Sequence, residues 1–279
     1  MKKFLSVFLT AALAVSMLAG CGSKNETVTA KVIDIDLTNE EYAFGVDKNQ
    51  PELLEKTNEF IAKIKSDGTL DEICKKYFSD GEPEAVKSAT LDTSKDQLVV
   101  ATNAAFEPFE YMDGENYVGI DMEIAKALAD KLGKELVIQN MDFDAVCLSV
   151  GQHKCDVAMA GLTIKPDREE YVAFSDPYYS ASQKLITLST DTEFDACKTA
   201  DDVNKILEAK GSDLKIGFQN GTTGQFYCEG DDDWGFPGLK MESKGYKNGS
   251  LAVQDLLNGN INYVIIDSAP AESITSSIN

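Results

Sequence analysis

Four places in the chain carry side chains suited to gripping a small charged molecule. Arg168 stands in GLTIKPDR, just past an apolar stretch that reads as a strand. Its planar fork can hold two oxygens of one anionic group. Thr163, five residues earlier, offers a backbone N–H and a hydroxyl. Gly221-Thr222-Thr223 follows a strand and opens a helix, so backbone N–H groups and a partial positive charge would face an anion there. Asp267 ends YVIID, and ligands of open α/β folds bind at such C-terminal strand edges. Singly, each has a plainer explanation. An arginine often pairs with a surface acid, here Asp167 or Glu169, and threonine is a common helix N-cap. Asp267 could cap a helix beginning at PAES. Together, an arginine and a helix start opposite a carboxylate would meet an anion and a cation on one ligand. Neither charge can be buried cheaply without such a partner.

These residues need strands and helices to hold them. KVIDI (31–35) and YAFGV (42–46) are short strand candidates. After Pro51, Leu53, Leu54, Phe60, Ile61 and Ile64 fall on one helical face. That helix stops near SDG (66–68), and a shorter one follows with Leu70, Ile73, Cys74 and Tyr77 inward. Residues 79–96 are polar and punctuated, a connector with no core element. From QLVVATN (97–103) the chain alternates strand and helix: 117–133 helix, 135–140 strand, 144–151 helix, 155–161 strand. QKLITLS (183–189) begins a second run, with helices over 201–210 and 250–260 and strands over 213–220 and 261–267. This rhythm predicts α/β folding in two lobes, each with a mostly parallel sheet. Lobe one is expected over 44–182, with 79–96 as connector. Lobe two is expected over 31–43 and 188–279, with 183–187 crossing between them. The hinge is expected near 42–46 and 179–185.

Composition excludes other classes. With 26 basic against 47 acidic residues, the formal charge is −21. That argues against nucleic acid and against peripheral binding to anionic lipid. One histidine, His153, and no C-x-x-C give no metal site. Lys2 and Lys3, a short apolar run and small residues before Cys21 describe an export signal over 1–20. Residues 21–30 then read as a tether. Cys74, Cys147, Cys155, Cys197 and Cys228 are an odd set, with Cys147–Cys155 and Cys197–Cys228 both open as pairings.

Several motifs agree in order: ATNAAFEPFEY, GIDMEIAKALADKLG, DFDAV, AGLTIKPDREEYVAFSDPYY, FQNGTTGQFY and YVIIDSAPAE. From about Gln97 to Asn279 the chain resembles the extracytoplasmic amino-acid-binding proteins of ABC importers, the polar amino acid type (family 3). The cysteine at the cut site resembles a bacterial lipobox, which implies a lipid-bearing Cys21 and a palmitate-type anchor on the outer face of the cell membrane. The resemblance implies a two-lobed type II periplasmic-binding fold with no cofactor and no catalytic residue. It implies a monomer that closes on a free amino acid and delivers it to a permease. Arg168 and Thr163 would take the ligand carboxylate, with Thr222 and Thr223 closing on it from the other lobe. Asp267 and the Gly161 carbonyl would take the ammonium, and Phe106 and Phe143 would sandwich the aliphatic part. Asn103 stands where many relatives carry Asp, which favours a polar neutral, glutamine-like ligand. Glu107 or Glu110 could restore a preference for cations, so a basic amino acid or cystine is the alternative. A ligand-sensing module or a prephenate/arogenate dehydratase-like lyase are further readings, though no acid–base pair stands out for the latter.

In that family two closing helices follow the last strand. Here residues 37–78 look like that closing segment, placed first. The resemblance therefore implies a circularly permuted order, with 79–96 joining the ancestral ends. A domain swap with a neighbouring copy is the rival arrangement.

Overall fold

The computed structural model describes residues 27–79 and 81–279. The export segment and the lipidation site at Cys21 lie outside the described residues. Among the described residues no helix is long and apolar enough to cross a membrane.

The chain begins with β1 (Ala30–Ile33), β2 (Glu40–Tyr42) and β3 (Gly45–Asp47), then α1 (Pro51–Ser66) and α2 (Thr69–Phe78). After the connector come β4 (Gln97–Thr102), a meander of β5 (Ala105–Phe106), β6 (Glu110–Asp113) and β7 (Asn116–Val118), then α3 (Ile120–Leu132) and β8 (Glu135–Asn140). A 3-10 turn at Phe143–Ala145 leads into α4 (Val146–Gly151) and β9 (Val157–Ala158). A second 3-10 turn, Arg168–Glu170, precedes β10 (Val172–Phe174), β11 (Tyr179–Ala181) and β12 (Gln183–Leu188). The remainder is α5 (Ala200–Glu208), β13 (Lys215–Gln219), α6 (Thr223–Glu229), β14 (Glu242–Tyr246), α7 (Gly249–Leu257), β15 (Tyr263–Asp267) and α8 (Ser268–Ile278).

Two five-stranded sheets form the two lobes. Lobe one has the order β10-β3-β9-β4-β8, and lobe two β1-β12-β15-β13-β14. In each sheet four of the five strands run in one direction, as expected of a mostly parallel sheet, and one runs against them. The reversed strand is β3 in lobe one and β12 in lobe two, each antiparallel to both of its neighbours. Each directly follows a crossing strand and so enters its sheet against the direction set by the βαβ units, while β10 and β1 beyond it run with them. The crossings are β2 and β11, which pair antiparallel with Tyr42 opposite Tyr179. The YAFGV stretch therefore splits between β2, a crossing, and β3, a lobe-one strand. Gln183–Leu188, expected as a crossing over 183–187, is a full strand of lobe two. Ala30, expected in the tether, is the buried first residue of β1.

The early helices cover lobe one of their own chain. Proline at the first helical position starts α1, and Leu53, Thr57, Phe60, Ile61 and Ile64 form its buried stripe. Leu54 is only half-buried, and Thr57 takes its expected place. Residues 81–85 of the connector are exposed. Farther on the connector does enter the fold. Val86 is buried and pairs with Tyr117, and the Ala89 N–H donates to the Leu136 carbonyl at 2.9 Å. It thus covers the open edge of β8, whose unpaired backbone would otherwise invite another strand. All five described cysteines are free thiols, so neither open pairing is formed.

Candidate functional site

The expected ligand residues converge where the lobes face each other beside the hinge. Arg168 sits on its 3-10 turn in lobe one and is buried. Its Nη1 donates to the Thr163 carbonyl at 2.6 Å, and its Nη2 donates to the Gly221 carbonyl of lobe two at 2.8 Å. No carboxylate of the described residues pairs with it, so the ion pair considered with Asp167 or Glu169 is not formed. Its guanidinium lies 5.3 Å from the centre of the Phe143 ring. Phe143 also faces Gly221 across the cleft, 3.4 Å from where a side chain there would begin.

Asp267 ends β15 on the other side of the site. Its carboxylate makes no helix-capping bond with α8, which removes the capping role considered for it. Instead Oδ1 accepts from the Tyr42 hydroxyl at 2.5 Å. Burial pushes the Asp267 carboxyl above its ordinary range, and the neighbouring Glu40 charge adds to this. Thr163 is buried, and its hydroxyl donates to Glu40 Oε2 at 2.9 Å. The hydroxyl hydrogen is thus directed away from any ligand carboxylate, and the oxygen keeps its lone pairs. Gly161 has φ +52°, and a Cβ there would stand 2.8 Å from the Phe106 ring. Its N–H donates to Asp121 Oδ2 at 2.9 Å.

On lobe two, Thr222 and Thr223 are buried at the start of α6. The Thr222 hydroxyl turns back to donate to the Gln219 carbonyl at 2.8 Å. Asn103, at the end of β4, reaches across the cleft. Its Oδ1 accepts from Gln219 Nε2 at 3.1 Å, while its own Nδ2 donates to the Met141 carbonyl at 2.7 Å. Further out, Lys165 of lobe one is buried with its ammonium 3.0 Å from Asp231 and 3.9 Å from Asp233, both of lobe two. It also lies 4.5 Å from the Phe226 ring centre. A cavity of about 290 Å³ opens beside Arg168, lined by Phe143, Asp144, Leu162, Gly221 and Phe226. Grooves of about 600 Å³ lie elsewhere on lobe one, away from these side chains.

Several groups at this centre were not singled out as ligand residues from the sequence: Glu40, Tyr42, Asp121, Gln183 and Gln219. Glu40, Glu110, Asp121 and Asp267 are all buried carboxyls, against Arg168 and Lys165 as buried cations. Burial holds Glu110 well above the usual carboxylate range, with Asp121 and Asp267 adding to it, and neither of its oxygens has a hydrogen-bond partner. Asp121 is pushed up to about 7 by burial, opposed by hydrogen bonds from Tyr178 and Gly161. Gln219 Oε1 is a further buried acceptor without a partner. The arrangement can hold a ligand carrying both charges, with more acceptors than donors around it.

Comparison with known proteins adds to this geometry. A family model described as bacterial extracellular solute-binding proteins, family 3, matches residues 7–80 and 98–265. The arginine-binding extracellular protein ArtP of Bacillus subtilis (strain 168) is 40% identical over 96 residues, 34% of this chain and 38% of that protein. The ABC transporter arginine-binding protein 1 of Escherichia coli (strain K12) is 32% identical over 178 residues, 63% of this chain and 65% of that protein. The chain thus spans less than two thirds of the length of these relatives. A crystal structure of the ancestral amino acid-binding protein AncCDT-1, a precursor of cyclohexadienyl dehydratase, superposes with TM-score 0.55 at 28% identity, covering 75% of this chain and 78% of that one.

Proposed function

The chain belongs to the bacterial extracellular solute-binding proteins, family 3, and we propose that it captures a free amino acid between its lobes and delivers it to an ABC permease. The observation that carries this reading is the pairing of opposite charges across the cleft. Arg168 is a buried cation with no acid partner, and Asp267 is a buried carboxyl with a phenol beside it and no cation partner among the described residues. A zwitterion supplies what both lack: its carboxylate joins Arg168 and Thr223, and its ammonium joins Asp267 and the Gly161 carbonyl. Thr222, whose hydroxyl is turned to the Gln219 carbonyl, would have to swing round to join the carboxylate. Phe106 and Phe143 flank the part between. The ligand bridges the lobes, so only the closed arrangement offers both sets of partners.

The ligand of this reading is a basic amino acid, with arginine first, rather than the glutamine-like one suggested by Asn103. At this centre four buried carboxyls, Glu40, Glu110, Asp121 and Asp267, outnumber the buried cations, and the partnerless atoms of Glu110 and Gln219 are acceptors. A donor-rich cationic side chain satisfies them, whereas a glutamine side chain brings an acceptor of its own. The names of the relatives point the same way. Titration calorimetry with the twenty L-amino acids tests both levels. Arginine binding most tightly supports the reading. Glutamine binding most tightly overturns the ligand, and binding only of a sugar or metal overturns the function.

The same reading includes a monomer anchored by lipid on Cys21 at the outer membrane face, and a circularly permuted order. Two features support the permutation. The family model matches in two blocks on either side of the connector, and the Asn279 side chain both donates to and accepts from the Ala30 backbone at 2.8 Å. A gene reopened within 79–96, with Asn279 joined to the residues before Ala30, should yield a monomer of unchanged affinity. A protein that assembles only as a swapped dimer overturns the permutation.

A further inference from the structure

We propose that the hinge strand β2 is a positioning element of the binding site, with Glu40 and Tyr42 holding the two side chains that receive the ligand's ammonium. The inference rests on the amino-acid reading and goes beyond it by assigning work to residues that do not themselves meet the ligand.

Glu40 and Tyr42 are two apart on an extended strand, so their side chains leave it on the same side. Both are buried. Tyr42 donates to Asp267 Oδ1 at 2.5 Å. That contact holds one carboxyl oxygen and leaves the other to face a cation. Glu40 Oε2 accepts the Thr163 hydroxyl at 2.9 Å. With its hydrogen committed to Glu40, the Thr163 oxygen can only accept, which suits an ammonium and not a carboxylate. The other Glu40 oxygen is fixed by Thr38 Oγ1 at 2.6 Å and by Gln183 Nε2 at 3.0 Å. Backbone pairing of Tyr42 with Thr163 ties the strand to the same loop, and the Tyr42 ring lies 3.4 Å from where a side chain of Gly161 would begin. Asp267 comes from lobe two and Thr163 from lobe one. One hinge strand therefore sets the acceptors contributed by both lobes. Domain rotation about β2 would carry these acceptors toward or away from each other while each keeps its own support.

The test is a set of double-mutant cycles in the full-length chain, with L-arginine as the probe by calorimetry and thermal unfolding as a control. Tyr42→Phe is expected to weaken binding about tenfold, as loss of a hydrogen bond to a charged group does. In an Asp267→Asn background the same change should have little further effect. Glu40→Gln should behave alike relative to Thr163→Val. Full additivity with Asp267→Asn and Thr163→Val, or unchanged affinity in both single variants, overturns the proposal. So does coupling to Lys165→Ala in place of Asp267→Asn, because that assigns β2 to closure alone. If Tyr42→Phe fails to fold, the Glu40→Gln cycle decides. A wild-type chain that binds none of the amino acids overturns the amino-acid reading and this inference together, whereas tight wild-type binding with unaffected variants overturns only the inference.

Discussion

Arg168 of lobe one donates to the Gly221 carbonyl of lobe two at 2.8 Å while its other nitrogen holds the Thr163 carbonyl of its own lobe. One guanidinium thus ties the two lobes together, and under the proposed function it is a ligand group as well. Arg168→Ala should weaken amino-acid binding by about 2–5 kcal/mol, since it removes a buried charge-assisted contact. Arg168→Lys should recover little, because an ammonium cannot span two carbonyls and a carboxylate. Calorimetry against wild type reads both. An unchanged Arg168→Ala affinity would remove the residue from the site.

Lys165 joins the lobes farther from the hinge, through Asp231 and Asp233. A contact made only on closure affects release more than capture. Lys165→Ala should raise the ligand off-rate about tenfold with a smaller effect on the on-rate. Added salt should speed release from wild type and have less effect on the variant, because the pair is only partly shielded at Asp233. Stopped-flow fluorescence at two ionic strengths measures this.

Stability should fall as pH rises through the neutral range. Glu110, Asp121 and Asp267 are all shifted upward by burial, Asp121 to about 7. The unfolded chain ionises these groups near their ordinary values, while the folded chain keeps its protons to higher pH. Over that window the native state holds more protons, so unfolding becomes easier as they leave. Urea midpoints without ligand should therefore decline from about pH 5 to about pH 8. Asp121→Asn should flatten that slope. A midpoint that rises over the range would contradict the shifts.

Much of this architecture was legible because it is local. The α1 stripe follows from helical spacing, and Asp267 ends a strand that a hydrophobic run reveals. What escaped is long-range. Glu40 meets Thr163 across 123 positions and Tyr42 meets Asp267 across 225, so neither contact leaves a spacing pattern. The one reversed strand in each sheet escaped for the same reason, since strand direction depends on where each crossing enters. The β5–β7 meander has strands of only two to four residues, too short for alternation to register. The sequence did suggest a hydroxyl for the ligand at Thr163, but not that a hinge carboxylate takes its hydrogen.

The exposed connector at 81–85 lies outside both crossings. A protease site placed there would divide the polypeptide into one piece carrying β1, β2, β3, α1 and α2, and another carrying everything from β4 onward. Each piece owns strands in both sheets and one partner of the hinge pair, so neither can depart as a lobe. The nicked protein should migrate as one particle in size-exclusion chromatography and still bind its ligand. Expressed separately, the two pieces should reassemble, so that ligand capture becomes a readout of whether they have met.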